Sequence, residues 1–354
     1  MRRVIGALSV SVLTLLLAAG PALACGGLIG PNGAVNLLQT TTFAGYHDGV
    51  EHYVTAFEFA GGGGALGSIT PLPGIPSNVE KGGDWTLQRL ILETDPQPEA
   101  LLFSLGAAAA RDSAEEIARY RIDALDLTVL RGGAAAIGQW AKEHGFRLPP
   151  DAPEVLEFYA ARSQIFVAAA FDADAAAERG QGIGDGTSVH ITIPTDDPWV
   201  PLRVLALGKT AEQRVEADVY LLTEARPNLL PVPAGRNGIS LAHSAEASDG
   251  LLADLRSDRG MAWVPAAAWL TKVRVDASAA QLSYDLAVDE TGTKAPSRVD
   301  AGLDLSLPGP AEVVPAVTSA GAGALLAIVA FTFAVGAALH TVRPTGPSRP
   351  SAAH

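Results

Sequence analysis

The segment His47-Asp48-Gly49-Val50-Glu51-His52 gathers two imidazoles and two carboxylates, the side chains that ligate metal ions or move protons near neutral pH. Asp48-Gly49 has the residue types of a two-residue hairpin turn, which needs positive φ at both positions. Such a turn puts His47 and His52 on one face of the two strands, where both imidazoles could hold a metal. A zinc site needs a third and a fourth ligand, and no second His/Cys/Asp cluster at ligand spacing offers them. The alternative is a solvated hairpin tip. His47 and His52 are therefore the metal candidates, and no catalytic residue and no cofactor are assigned.

Other motifs fall short of the chemistry they resemble. Gly208-Lys209-Thr210 copies the end of a phosphate-binding loop, but the position five residues before Gly208 holds Arg203, so the glycine cradle is missing. The run Gly180 to Gly186 has neither the helix entry of a dinucleotide loop nor the tandem repetition of a calcium-binding glycine repeat, and reads as a flexible loop. Gly238-Ile239-Ser240-Leu241-Ala242 approaches a nucleophile elbow, yet it ends in Ala and follows the Pro/Gly segment Pro231 to Gly238 instead of an apolar strand. Trp263 and Trp269 read as core residues rather than a sugar-stacking platform. Cys25 is the only cysteine, so no intrachain disulfide can form. A lipoprotein signal prefers Leu three residues before its Cys, whereas Ala22 stands there. A free or intermolecularly paired thiol is favoured over lipidation.

The elements that position these residues follow from spacing. Strand residues from Ala34 through Thr42 lead into the Asp48-Gly49 turn, and His52 to Phe59 returns. Gly61 to Gly64 predicts a loop, and Ile69 to Pro76 a polyproline-like stretch. Asp84 is the expected N-cap of a short helix with Trp85, Leu87, Leu90 and Ile91 on one side. Ser113 and Glu116 have capping-box spacing for another. Leu125, Leu127 and Val129 alternate as a strand. Helices are expected from Ala134 to His144, stopping at Gly145, and again after Leu148 to Asp151. Strands follow at Gln164 to Phe171, Val189 to Ile193, Leu202 to Leu207 and Val215 to Leu222. The chain then reads as less regular up to about Ala295. Strands and helices without regular βαβ alternation give an α+β class, with antiparallel hairpins, strand-rich blocks and several short helices.

Both ends carry long uncharged segments. Arg2 and Arg3, the apolar run Val4 to Ala19 and the triplet Ala22-Leu23-Ala24 form a secretory signal peptide over residues 1–24. Val313 to Leu339 is long enough to cross a hydrocarbon layer of about 30 Å as a helix. The tail, 340–354, holds Arg343 and Arg349 and no acid, so it is expected to stay in the cytoplasm. Between them lie a main α+β part (25–230), a second, less regular part (231–295) and a Pro/Gly-containing linker (296–312). The formal net charge of -13 argues against nucleic acid as a partner.

Several segments together resemble a bacterial family known only as domain of unknown function 2330. They are Cys25-Gly26-Gly27, the Asp48-Gly49 hairpin, Ile69 to Pro76, Gln139 to Phe146, Pro201 to Gly208 and Trp269 to Arg274. The resemblance implies an exported envelope protein, often with a C-terminal membrane helix, and implies no activity. The resemblance also implies more than one cysteine in many members, where this chain has Cys25 alone.

The expectation is a single-pass cell-membrane protein with its bulk outside and its C-terminus inside. It would bind an envelope protein or polymer without catalysing a reaction. The alternatives are an extracytoplasmic metal-assisted hydrolase around His47 and His52, and an accessory subunit of a membrane complex that packs through Gly321, Gly323 and Gly336.

Overall fold

Period-two alternation of apolar side chains makes two-faced strands, and two such faces can close a core between them. A computed structural model describes residues 27–30, 33–34, 40–57, 66–95, 116–172, 175, 178 and 187–304. Residues 1–24, Cys25, Gly61 to Gly64, Ser113, Gly180 to Gly186, the Val313 to Leu339 run and residues 340–354 lie outside the described residues. Among the described residues no helix is long and apolar enough to cross a membrane.

The larger sheet contains β3 (Thr40–His47), β4 (Val50–Phe57), β6 (Asn78–Lys81), β10 (Thr187–Pro194), β12 (Arg214–Thr223), β14 (Ile239–Glu246) and β15 (Trp269–Ser278). Its order is β14-β15-β12-β3-β4-β10-β6. The β12–β3 pair is parallel, and the other described strand pairs are antiparallel. A second sheet contains β1 (Gly27–Gly30), β2 (Gly33–Ala34), β5 (Leu66–Leu72), β7 (Glu116–Ile122), β8 (Leu125–Arg131) and β9 (Ile165–Phe171), in the order β2-β1-β5-β9-β8-β7. A small third sheet is β11 (Trp199–Val200), β16 (Leu286–Asp289) and β13 (Asn228–Leu230).

Tyr53, Val189, Ile191, Val219 and Val273 from the first sheet share one core with Leu125, Leu127, Ile165 and Val167 from the second. The second sheet's outer residues, Ile69, Leu130 and Phe166, pack on α2 (Ala134–Glu143) and α3 (Ala152–Ala160). The first sheet's outer residues, Phe43, Val54 and Tyr220, pack on α1 (Thr86–Thr94) and α4 (Asp249–Ser257). The order of layers is therefore helices, sheet, sheet, helices. Each fully buried Leu or Val in these cores contributes about 1.5–3 kcal/mol relative to exposure. The α+β class is as expected, with antiparallel sheets and short helices.

Local departures have identifiable causes. Glu116 begins a strand, not a helix, because Ala118, Tyr120 and Ile122 alternate onto the inter-sheet core and Asp123, with φ +57, turns the chain into β8. Ile69 to Leu72 belongs to β5; Pro71 pairs with Phe166 of β9, and among the described residues no strand pairs with it on the other side, where proline's missing N–H costs no ladder bond. Arg203 to Ala206 is a 3-10 turn in place of the expected strand, since Leu202 and Leu205 face the inter-sheet core while Val204 and Leu207 face the α2–α3 core. Asp84 does not cap α1. The Asp258 carboxylate at the end of α4 accepts from the Asp84 and Trp85 backbone N–H groups at 3.0 and 3.1 Å and from the Thr86 hydroxyl at 2.7 Å. The stretch expected to be less regular, 231–295, instead supplies β14, α4 and β15, and β15 pairs along ten residues of β12.

Candidate functional site

Asp48 and Gly49 adopt φ values of +50 and +74, and the register pairs His47 with Val50 and Gly45 with His52. His47 and His52 thus project from one face, as the turn residues required. Their surroundings differ. His47 Nδ1 lies 3.0 Å from Glu224 Oε1, and Nε2 lies 3.5 Å from Asp48 Oδ2. One ligand atom from each of these three residues falls within 4.8 Å of the others, so His47, Asp48 and Glu224 could hold a metal ion at the surface. Glu224 has no local sequence signal. The parallel pairing of Leu222 with Gly45 brings the end of β12 beside the end of β3.

His52 is buried and belongs to a different group. Its ring stacks on Trp263 at 3.8 Å between centroids and 4° between planes, and its Nδ1 is 3.0 Å from His190 Nε2. His190 Nδ1 lies 3.3 Å from Glu80 Oε1. Adjacent strands create this line, because His190 of β10 pairs with Val54 of β4 on one side and Glu80 of β6 on the other. A Cβ at Gly45 would stand 2.1 Å from the Trp263 ring, so glycine there admits the indole. Gly260, at φ +73, passes over His190.

Burial drives the His52 pKa down to about 3, helped by His190 and His47. Burial also lowers His190, against the pull of Glu80. Both rings are therefore neutral near pH 7. The Glu80 charge favours the His190 proton on Nδ1, so His190 Nε2 accepts from His52 Nδ1 and leaves a lone pair on His52 Nε2. The line can act as a base or as an added ligand.

Glu51, the next residue, faces the inter-sheet side opposite Tyr46. It is 1 % exposed, and among the described residues no side chain pairs with its carboxylate; the Trp199 backbone N–H is the polar group directed at it. Burial raises its pKa to about 8, although the nearby Trp199 backbone N–H lowers it. The Tyr46 hydroxyl donates to the Thr195 carbonyl at 2.6 Å, and its pKa is pushed up to about 12 by burial and then by Glu290, Asp196, Glu51 and Asp197. Asp196, Asp197, Glu290 and Asp300 line an adjoining cleft.

Three further motifs fall among the described residues, and each has a structural partner. The Gly208 N–H donates to the Asp151 carboxylate at 2.9 Å, so the protein's own acid occupies the position a phosphate would need. Ser240 lies within β14 opposite Arg274, not on an elbow. Trp263 covers His52, and Trp269 Nε1 donates to Ser244 Oγ at 2.9 Å.

The model of a family described as "Uncharacterized protein conserved in bacteria (DUF2330)" matches residues 22–289. No curated protein matches the chain. Among solved structures, baculovirus P35 is 10% identical with a TM-score of 0.38, over 71% of this chain and 96% of that one. The caspase-8/P35 complex gives 10% identity and a TM-score of 0.37, over 71% and 95%. A mutated baculovirus P35 after caspase cleavage gives 10% and 0.37, over 72% and 98%. Likeness at this level bears no functional reading.

Proposed function

We propose that this chain, which belongs to the DUF2330 family of uncharacterized bacterial proteins, is an exported protein tethered to the cell membrane by residues 313–339. Its folded unit would bind an envelope protein or polymer outside the cell without catalysing a reaction. The observation that carries this reading is in the sequence: Val313 to Leu339 holds no charged residue and is long enough to cross a bilayer as a helix. The family match, from Ala22 to Asp289, also lies between the two uncharged segments. The arginines of the tail, with no acid beside them, support a cytoplasmic C-terminus.

A second reading, a metal-assisted hydrolase, has specific support in the His47, Asp48 and Glu224 trio. In it His47 ligates the metal and His52 supplies a neutral acceptor, backed by His190 and Glu80.

One experiment addresses both readings. Deleting everything from Val313 onward should release a soluble, folded, secreted unit, whereas a truncated chain that stays with the membrane fraction removes the single tether. Metal analysis of the released unit then separates binding protein from hydrolase: stoichiometric zinc lost on His47→Ala supports the second reading, and a metal-free unit removes it.

A further inference from the structure

Exposed apolar side chains that cluster mark a surface made to meet something other than water, whereas single ones need no explanation. Seven large apolar side chains stand exposed among the described residues, and four of them follow one path: Val232, Leu241, Val299 and Leu303. Ala234 bridges Ser240 in antiparallel fashion, which sets Pro233 beside Leu241 at the edge of the larger sheet. The Asn237 side chain donates to the Val232 carbonyl at 3.2 Å, and the Tyr284 hydroxyl donates to the Asn237 carbonyl. Leu230 pairs with Ala287 of β16. N–H groups along an antiparallel strand point alternately to its two neighbours. The Val288 N–H reaches the Pro198 carbonyl next to β11, so the Asp285 N–H points to the β13 side, where the Ala301 carbonyl accepts it at 3.0 Å. The turn that carries Val299 and Leu303 thus lies on the side of β16 where the chain runs on from Leu230 to Val232.

The place of Leu303 in the chain decides what covers this surface. Asp304 is the last described residue, and the uncharged run begins at Val313. At about 3.5 Å per residue, the start of that run is within about 30 Å of Asp304. A surface held that close to a bilayer meets it at high effective concentration, so a few apolar side chains suffice to dock it. Charges of both signs flank the path: Arg236, Lys294 and Asp300, and the ion pair of Arg298 with Asp304. Neither sign prevails, which fits zwitterionic headgroups, whereas anionic ones would repel the acidic chain.

We infer that the surface formed by Val232, Leu241, Val299 and Leu303 rests on the outer face of the membrane, with its apolar side chains in the headgroup boundary of zwitterionic lipid. This inference rests on the tether proposed above. Docking fixes one side of the folded unit against the bilayer and leaves the rest of its surface turned to the envelope.

The test uses the full chain in vesicles of phosphatidylcholine and phosphatidylethanolamine. Cys25→Ser removes the only cysteine, and Val232→Cys, Val299→Cys, Leu303→Cys or, outside the path on α1, Leu92→Cys then carries a polarity-sensitive dye. All four side chains are exposed, so the dye leaves the cores intact. Lipids spin-labelled near the headgroup should quench the dye at 232, 299 and 303 several-fold more strongly than at 92. Adding Val232→Asp and Leu303→Asp should abolish the quenching at 299 while the chain still floats with the vesicles. Equal, weak quenching at all four positions in a chain that floats would overturn the docking and leave the tether standing. A dye shielded from iodide yet untouched by the lipid quencher would assign the surface to a second protein chain and overturn it too. A chain that does not float with the vesicles would remove the tether and this inference together.

Discussion

Two neutral imidazoles in contact resist protonation, because one charge must be desolvated and a second would face the first. His52 titrates at about 3 in the folded chain against 6.5 when unfolded, and His190 is lowered as well. Between those values the unfolded state binds more protons, so stability is present above pH 6.5 and is lost as pH falls toward 3. Melting temperature should therefore drop on acidification from pH 7. In the double variant His52→Phe, His190→Leu, which keeps apolar volume and removes both ionisable rings, that fall should be shallower. An unchanged acid slope in a folded variant would dissociate the pair from acid sensitivity. Glu51 acts with the opposite sign. Its folded pKa of about 8 exceeds the usual 4.5, so the folded state is progressively disfavoured as pH rises from 4.5 to 8. Of these three residues, sequence reading singled out His52 and noted Glu51, because a turn signal announced their strand. His190 sits on β10, a strand that was recognisable, but its partner was not, since strand neighbours separated by 138 residues leave no local pattern.

Helix caps and strand ends were harder to read than strands. The Asp48-Gly49 turn, α2 with Gly145 at φ +75, β9 and β10 were all legible, because each announces itself within a few residues. The start of α1 was not, because its capping carboxylate comes from Asp258, more than 170 positions away. Asp258 links the start of α1 to the end of α4, and both helices cover the same sheet face. Asp258→Ala should cost about 0.5–2 kcal/mol, the range for loss of a helix cap. Urea denaturation should show the midpoint fall with an unchanged slope. A variant as stable as the wild type would mean that the turn before α1 is satisfied in another way.

Across the whole folded unit, one buried group ties several elements together. Asp285, fully buried just before β16, accepts from the Leu202 and Arg203 backbone N–H groups at 2.6 and 2.8 Å and from the Tyr159 hydroxyl at 3.0 Å. It also pairs with the buried Arg162 guanidinium, which lies 4.3 Å from the Trp199 ring. Asp285→Ala should cost about 3–5 kcal/mol, because it leaves Arg162 buried and unpaired. Chemical denaturation of the full chain would measure this, and a loss below about 1 kcal/mol would show that solvent reaches the site. Sequence alone determined the α+β class, the family resemblance, the first hairpin and the common face of His47 and His52, since period, turn chemistry and parity act over a few residues. Only tertiary structure decided that His47 meets Glu224, that His52 meets His190 beneath Trp263, and that Glu51 is buried with no ion-pair partner among the described residues. Strand order and register bring together side chains far apart in the chain, and a burial cost exists only once the layers have closed.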